Sequence, residues 1–226
     1  MSSYQFAFHG LHLEARASGA LWWAEGRCLI VADLHLGKSE RLARRGGPLL
    51  PPYEGMVTLD RLTAEVETLE PARIVSLGDA FDDDLVAHSL DEQMTRGLGQ
   101  LAEGRDWFWV AGNHDPASAC SLFGAAGPES RLGQVALRHV ACPGAGPDIS
   151  GHFHPVIRLA GERRKSFLLG KQHLILPAFG AYTGGLCAND PALRNLVPEG
   201  IAICCGRRAL PLPIGAVALP GRHRRR

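Results

Sequence analysis

Four apolar stretches of the chain stop on the same kind of polar group, and this repetition limits the possible folds more than any other feature. "CLIVADLH" delivers Asp33 and His35, "RIVSLGD" ends in Asp79, "DWFWVAGNH" in Asn113 and His114, and "PDISGHFH" in His152 and His154. Each run is short and rich in Val, Ile, Leu or aromatic residues, as a buried strand requires. In an open α/β sheet, the loops leaving the carboxyl ends of parallel strands converge on one crevice, so residues far apart in sequence can share a site. Taken singly, each ending has a plainer reading: Asp caps a turn, His makes a structural hydrogen bond, and Gly in "GD", "GN" and "GH" serves a tight bend. Four of them at successive strand ends are better explained by one shared site.

The rest of the chain fits a mixed sheet with helices packed outside it. "YQFAFHGLHLEARASGALWWAEG" alternates apolar and polar residues with Gly at its bends, which predicts an antiparallel hairpin. "QVALRHV", "SFLLG", "QHLILPA" and "GIAICC" are further strands. Val57, Leu62, Val66 and Leu69 predict one helix ahead of Pro71, and Met94, Leu98 and Leu101 another ahead of Gly104. "RRGGPLLPPYEG" and "CPGAGPD" are loops. Neither reads as a linker, because strand density is similar on both sides. The expectation is one domain over residues 1–221 and a basic tail, "RHRRR", over 222–226. A length of 226 residues suits one domain, and 46% hydrophobic with 21% charged residues suits an ordered globular chain.

Charge and cysteine usage exclude more than they select. A formal net charge of +1 names no partner. Arginine is uneven, with Arg41, Arg44 and Arg45 close together and more at the end, which reads either as solvated surface or as phosphate contact. Six cysteines without a C-x-x-C pair give a zinc finger no support. No signal-peptide pattern or bilayer-length apolar run is present, so the expectation is a cytoplasmic protein with free thiols. No Rossmann or Walker glycine loop occurs. Trp22, Trp23, Trp107 and Trp109 are expected in the core or on a sheet face, and His9, His12, His88, His173 and His223 to be structural or on the surface.

The ordered blocks "DLH", "GDAFD", "GNHD" and "GHFH" resemble the calcineurin-like metallophosphoesterase superfamily, whose pattern is D-x-H, G-D-x-x-D, G-N-H-[DE] and G-H-x-H. His139 in "LRHVA" occupies the place of the isolated His the family carries before its last block, although Val140 follows it where many relatives have Gly. The resemblance implies a four-layer αββα sandwich and two divalent metal ions. One would be held by Asp33, His35 and His154, the other by Asn113, His139 and His152, with Asp79 bridging. Independently, carboxylate, imidazole and amide oxygen suit Mn²⁺, Fe or Zn²⁺ without selecting among them; manganese is the first choice, with Fe, Zn²⁺ or Ni²⁺ as alternatives. Such a pair generates a nucleophile from water and clamps the phosphate oxygens during in-line attack. His114 resembles the family's general acid and Asp82 the carboxylate paired with it, though "DDD" at 82–84 also reads as a solvated acidic turn.

More local features, "DLHLGKSERLARRG", "GGPLLPP", "SGHFHP" and "LPAFGAYTGG", are similar to the bacterial ligase-associated DNA-damage-response endonucleases, the PdeM subgroup. That implies a DNA substrate, with a repair ligase or helicase as partner by resemblance only. Lys38 and Arg41 would then guide a phosphodiester backbone, or form the exposed basic face of a helix. Tyr182 would stack on a base, or simply pack. Two other functions fit the same blocks: a small-molecule phosphodiesterase or phosphomonoesterase, and a scaffold that keeps the fold without catalysis.

Overall fold

The computed structural model describes residues 2–38, 46, 53–82, 90–114 and 123–216. The first sheet contains β1 (Ser3–Phe8), β2 (Leu11–Arg16), β3 (Leu21–Trp23), β4 (Cys28–Val31), β5 (Arg73–Leu77), β6 (Asp106–Val110) and β7 (Ala125–Gly127), adjacent in that order. Neighbours are antiparallel as far as β4 and parallel from there to β7. The second sheet is built from β8 (Glu129–Leu132), β9 (Val135–Arg138), β10 (Asp148–Ser150), β11 (Val156–Leu159), β12 (Glu162–Leu169), β13 (His173–Ile175), β14 (Ile201–Cys204) and β15 (Leu210–Pro213). Its order is β15-β14-β12-β13-β10-β9-β8, with β11 paired to β12 alone. β9, β10 and β13 run parallel.

Strand alternation divides the apolar residues between separate cores. Cys28, Ile30, Val75, Leu77 and Val110 turn inward and meet Leu137, Ile149, Phe167, Leu174 and Ile203 of the second sheet. Leu29, Val31, Ile74, Trp107 and Trp109 face the other way, onto α1 (Glu54–Leu69) and α2 (Glu92–Ala102). Covering both faces is why "CLIV" is apolar throughout instead of alternating. On the far side, Leu168, Ile175 and Ala202 pack with Leu193 of α3 (Pro191–Leu196). The layers are therefore helix, sheet, sheet, helix, as expected.

The helix over α1 forms where the spacing predicts it, but Val57 is exposed. Its core face instead uses Leu59, Leu62 and Val66, three and four residues apart, and Val57 lies off that stripe. Trp107 and Trp109 are fully buried, and their indole N–H groups donate to Ser76 Oγ (3.2 Å) and to the Phe123 carbonyl (2.8 Å). β7, β8, β11 and β15 are absent from the sequence reading. β15 carries Pro211 and Pro213, which suit an edge strand. Among the described residues no helix is long and apolar enough to cross a membrane.

The carboxyl ends of β4, β5, β6, β9, β10 and β13 open onto one rim. Past β4 and β5 the chain keeps pairing, with Asp33 N–H donating to Gly78 O (3.2 Å), His35 N–H to Asp79 O (3.0 Å) and Leu36 N–H to Ala80 O (2.9 Å). Phe179 N–H donates to Ala32 O (2.7 Å) and Gly180 N–H to Asp33 O (3.0 Å), tying the segment after β13 to the end of β4. These bonds bring the two sheets together at the site.

Candidate metal centre

Five side chains of the motif blocks stand on backbone that L residues rarely adopt. Asp33 (φ 53°), His35 (46°), Asp79 (48°), His152 (68°) and His154 (48°) are all left-handed. Each such residue is strained by on the order of 1–3 kcal/mol and persists only where the surroundings impose it. The bends at "DLH" aim Asp33 and His35 into one group, and those at "HFH" send His154 to that group and His152 to its neighbour.

Two groups of donors result. In the first, Asp33 Oδ1 lies 3.3 Å from His154 Nε2, which lies 3.4 Å from His35 Nε2. In the second, His139 Nε2 lies 3.4 Å from Asp79 Oδ2, 3.1 Å from His152 Nδ1 and 2.8 Å from Asn113 Oδ1. Within each of the triads Asp33/His35/His154 and Asp79/His139/His152, all donor atoms fall within 4.8 Å of one another. The groups abut: His139 Nδ1 is 3.8 Å from Asp33 Oδ1, and His152 N–H donates to Asp33 Oδ2 (3.0 Å). Imidazole nitrogens and carboxylate oxygens converging this closely need a positive charge between them, and a divalent cation with nitrogen and oxygen ligands fits the donor set.

Two glycines keep these groups close. A Cβ on Gly78, itself left-handed, would stand 2.5 Å from His139 Nδ1, and one on Gly151 would stand 2.5 Å from Asp33 Oδ2. The Gly of "GD" and the Gly of "GH" are thus demanded by contact with a ligand from another block.

Charge balance supports the same reading. Burial pushes the Asp79 carboxyl up, but the hydrogen bond and charge of His139, the His114 N–H and nearby His35 outweigh it and hold it well below the usual carboxylate range. Burial pulls His139 down, yet the Asp79 hydrogen bond and the Asp33 and Asp79 charges raise it above an ordinary histidine. His152 is lowered by burial and then by the His139 charge. His139 Nδ1 faces the Leu77 carbonyl at 2.9 Å, which leaves Nε2 as the coordinating atom.

The remaining candidates are arranged less simply. His114 N–H donates to Asp79 Oδ1 (2.9 Å), and its ring Nδ1 lies 3.1 Å from the main-chain carbonyl of Asp82. The Asp82 carboxylate is buried, with Oδ1 3.1 Å from His35 Nδ1, so "DDD" is not wholly a solvated turn. Lys38 Nζ donates to the Tyr182 carbonyl (3.4 Å), and Tyr182 is exposed on a left-handed residue. Arg41 lies outside the described residues, as do Arg44, Arg45 and the 222–226 tail. Two cations went unnoticed in the sequence: Lys165 donates to the carbonyls of Ala178 and Gly180, and Arg163 to that of Gly185. Both fasten the loop that carries Tyr182. Their only sequence signal is the basic start of β12, "ERRK".

The family model for calcineurin-like phosphoesterases matches residues 26–172, well over half of the chain. The chain belongs to that family. Membership makes this calcineurin-like phosphoesterase a hydrolase, and both metal-capable triads lie within the matched span. A search of curated proteins finds no match. Among solved structures, the Pseudomonas putida nuclease MPE is similar at a TM-score of 0.75 and 26% identity, over 93% of this chain and 100% of that one.

Proposed function

We propose that this phosphoesterase is a two-metal phosphodiesterase that cuts DNA, an endonuclease serving DNA repair. The observation that carries the reading is the abutment of the two triads, with His139 3.8 Å from Asp33 across their boundary. Likeness to a nuclease over nearly the whole chain supports a nucleic-acid substrate. Asp33, His35 and His154 hold one ion. Asn113, His139 and His152 hold the other, and Asp79 lies between. Two bound divalent ions, manganese by first choice, supply Lewis-acid charge and an activated water.

The protein residues supply orientation and protons. Leu77 O fixes the His139 ring through Nδ1, and the Asp82 carboxylate faces His35 Nδ1 at ion-pair distance, 3.1 Å. His114, its Nδ1 held at the Asp82 carbonyl, carries on Nε2 the proton that the leaving oxygen needs. Lys38 meets backbone phosphates, and exposed Tyr182 stacks on a base. Arg41 extends the same cationic segment.

Circular DNA tests the reading. Mn²⁺-dependent nicking by the parent protein, lost in an Asp79→Asn variant, is the expected result. Hydrolysis confined to small chromogenic esters would replace it with a small-molecule phosphodiesterase, and no hydrolysis after metal reconstitution would revive the scaffold. A second expectation concerns Asp82. Asp82→Asn should weaken Mn²⁺ affinity by about 10- to 100-fold, since the residue steers a ligand without binding metal itself. Calorimetric titration of the metal-free protein measures this, and an unchanged affinity would remove Asp82 from that role.

A further inference from the structure

A second cationic cluster stands on the same rim as the metal centre. β3 runs antiparallel to β4, so the turn between β2 and β3, carrying Ala17 and Ser18, lies at the edge where Asp33 emerges. β12 and β14 are antiparallel to each other, and β12 is antiparallel to β13, so residues 163–165 and 205–206 reach that edge too. Between them lies a cavity of about 400 Å³ lined by Arg61, Arg163, Arg164 and Lys165, with no carboxylate among its described lining residues. A neighbouring hollow shares Arg164 and adds Arg207 and Arg208.

The described lining of the cavity gives these cations no carboxylate; Glu65, paired with Arg16, and Asp33 act on them from outside it. Arg61 lies over the Phe179 ring at 4.4 Å, and its buried Nε and Nη2 have no hydrogen-bond partner among the described residues. Lys165 is spent on main-chain carbonyls, which carry no formal charge. Burial first, then the Arg61 charge, pull the Lys165 ammonium down to about 7. Cys205 adds no negative charge, because burial and Cys204 push its thiol up to about 12 and keep it neutral. Glu162 pairs with Arg164, but both side chains are largely exposed, so the pair is well screened.

We propose that this cluster is an anion subsite that takes a backbone phosphate of the bound nucleic-acid strand, away from the scissile bond. The placement gives the direction. Metal ligands emerge from β4, β5, β6, β9 and β10, and the cluster lies beyond β13 and β3 on one side of them. The loop over residues 178–185 lies between, held by Lys38 on one flank and by Lys165 and Arg163 on the other. A strand laid along the rim would run from the metal centre across this loop to Arg61 and Arg164, and on to Arg207 and Arg208. Guanidinium groups suit phosphate because they present paired N–H donors in one plane.

The inference rests on the nucleic-acid reading, and the test separates the two. The metal-loaded enzyme would be assayed on a single-stranded oligonucleotide of about 20 nucleotides, longer than one binding groove covers, and on bis(4-nitrophenyl) phosphate. Arg61→Gln with Arg164→Gln should raise KM for the oligonucleotide about tenfold, and should shallow the dependence of log kcat/KM on log salt by about 0.7 per lost contact. Hydrolysis of the small diester should stay at the parent level, and Arg164→Lys should restore part of the salt dependence. If the pair fails to fold, Arg164→Gln alone, on an exposed side chain, should give a smaller rise of the same sign. An unchanged oligonucleotide KM in an enzyme that cuts DNA, or equal losses on both substrates, overturns the subsite alone. A parent enzyme that cuts no nucleic acid overturns the functional reading and the subsite together.

Discussion

Asp79→Asn is expected to cut phosphodiester hydrolysis by on the order of 10³-fold or more, because Lewis-acid charge supplies several kcal/mol of transition-state stabilisation and each 1.4 kcal/mol is a factor of ten. The substitution keeps size and shape, so Asn can still accept from His114 N–H as Asp79 Oδ1 does. What disappears is the charge that His139 faces at 3.4 Å. Metal content by elemental analysis should fall in step with activity. A variant with full metal occupancy and full turnover would show that Asp79 is not shared between the ions.

His114→Ala should behave in the opposite way toward metal. Its contact with Asp79 runs through the main-chain N–H, which every substitution but proline keeps, so occupancy should stay at the parent level. Turnover on a diester with an alkoxide leaving group should drop by about 10²- to 10⁴-fold, the usual worth of a positioned acid. On a nitrophenyl ester, whose leaving group needs little protonation, the loss should be slight. Equal losses on both substrates would mean that His114 acts by packing against His35, whose ring it meets edge-on at 5.4 Å.

The ligand candidates were legible because their chemistry is written at strand ends, where sequence order and spatial order agree. Asp33, Asp79 and Asn113 follow three parallel neighbours, and a reader needs only the polar residue after each apolar run. His139 was placed only by its order ahead of the last block; the structure puts it just past β9, with its ring at Leu77 O. The left-handed backbone at Asp33, His35, Asp79, His152 and His154 was not legible, because no local propensity asks for it; contacts from other blocks impose it. Asp82 illustrates a second limit. Its carboxylate faces His35 and its carbonyl faces His114, and sequence spacing cannot say which part of a residue makes a contact. Arg61 was hidden for another reason: on α1 it reads as an ordinary surface cation, and only the second sheet brings Lys165 and Arg164 to the same cavity.

The candidate ligands come from both sides of the sandwich, Asp33, His35, Asp79 and Asn113 from the first sheet and His139, His152 and His154 from the second. Elsewhere the sheets adhere through apolar side chains. At this edge any slip would pull apart the donor atoms proposed to share one cation. The bound ions would therefore act as rivets, reinforcing a registry that the bonds from Phe179 and Gly180 to the end of β4 already set.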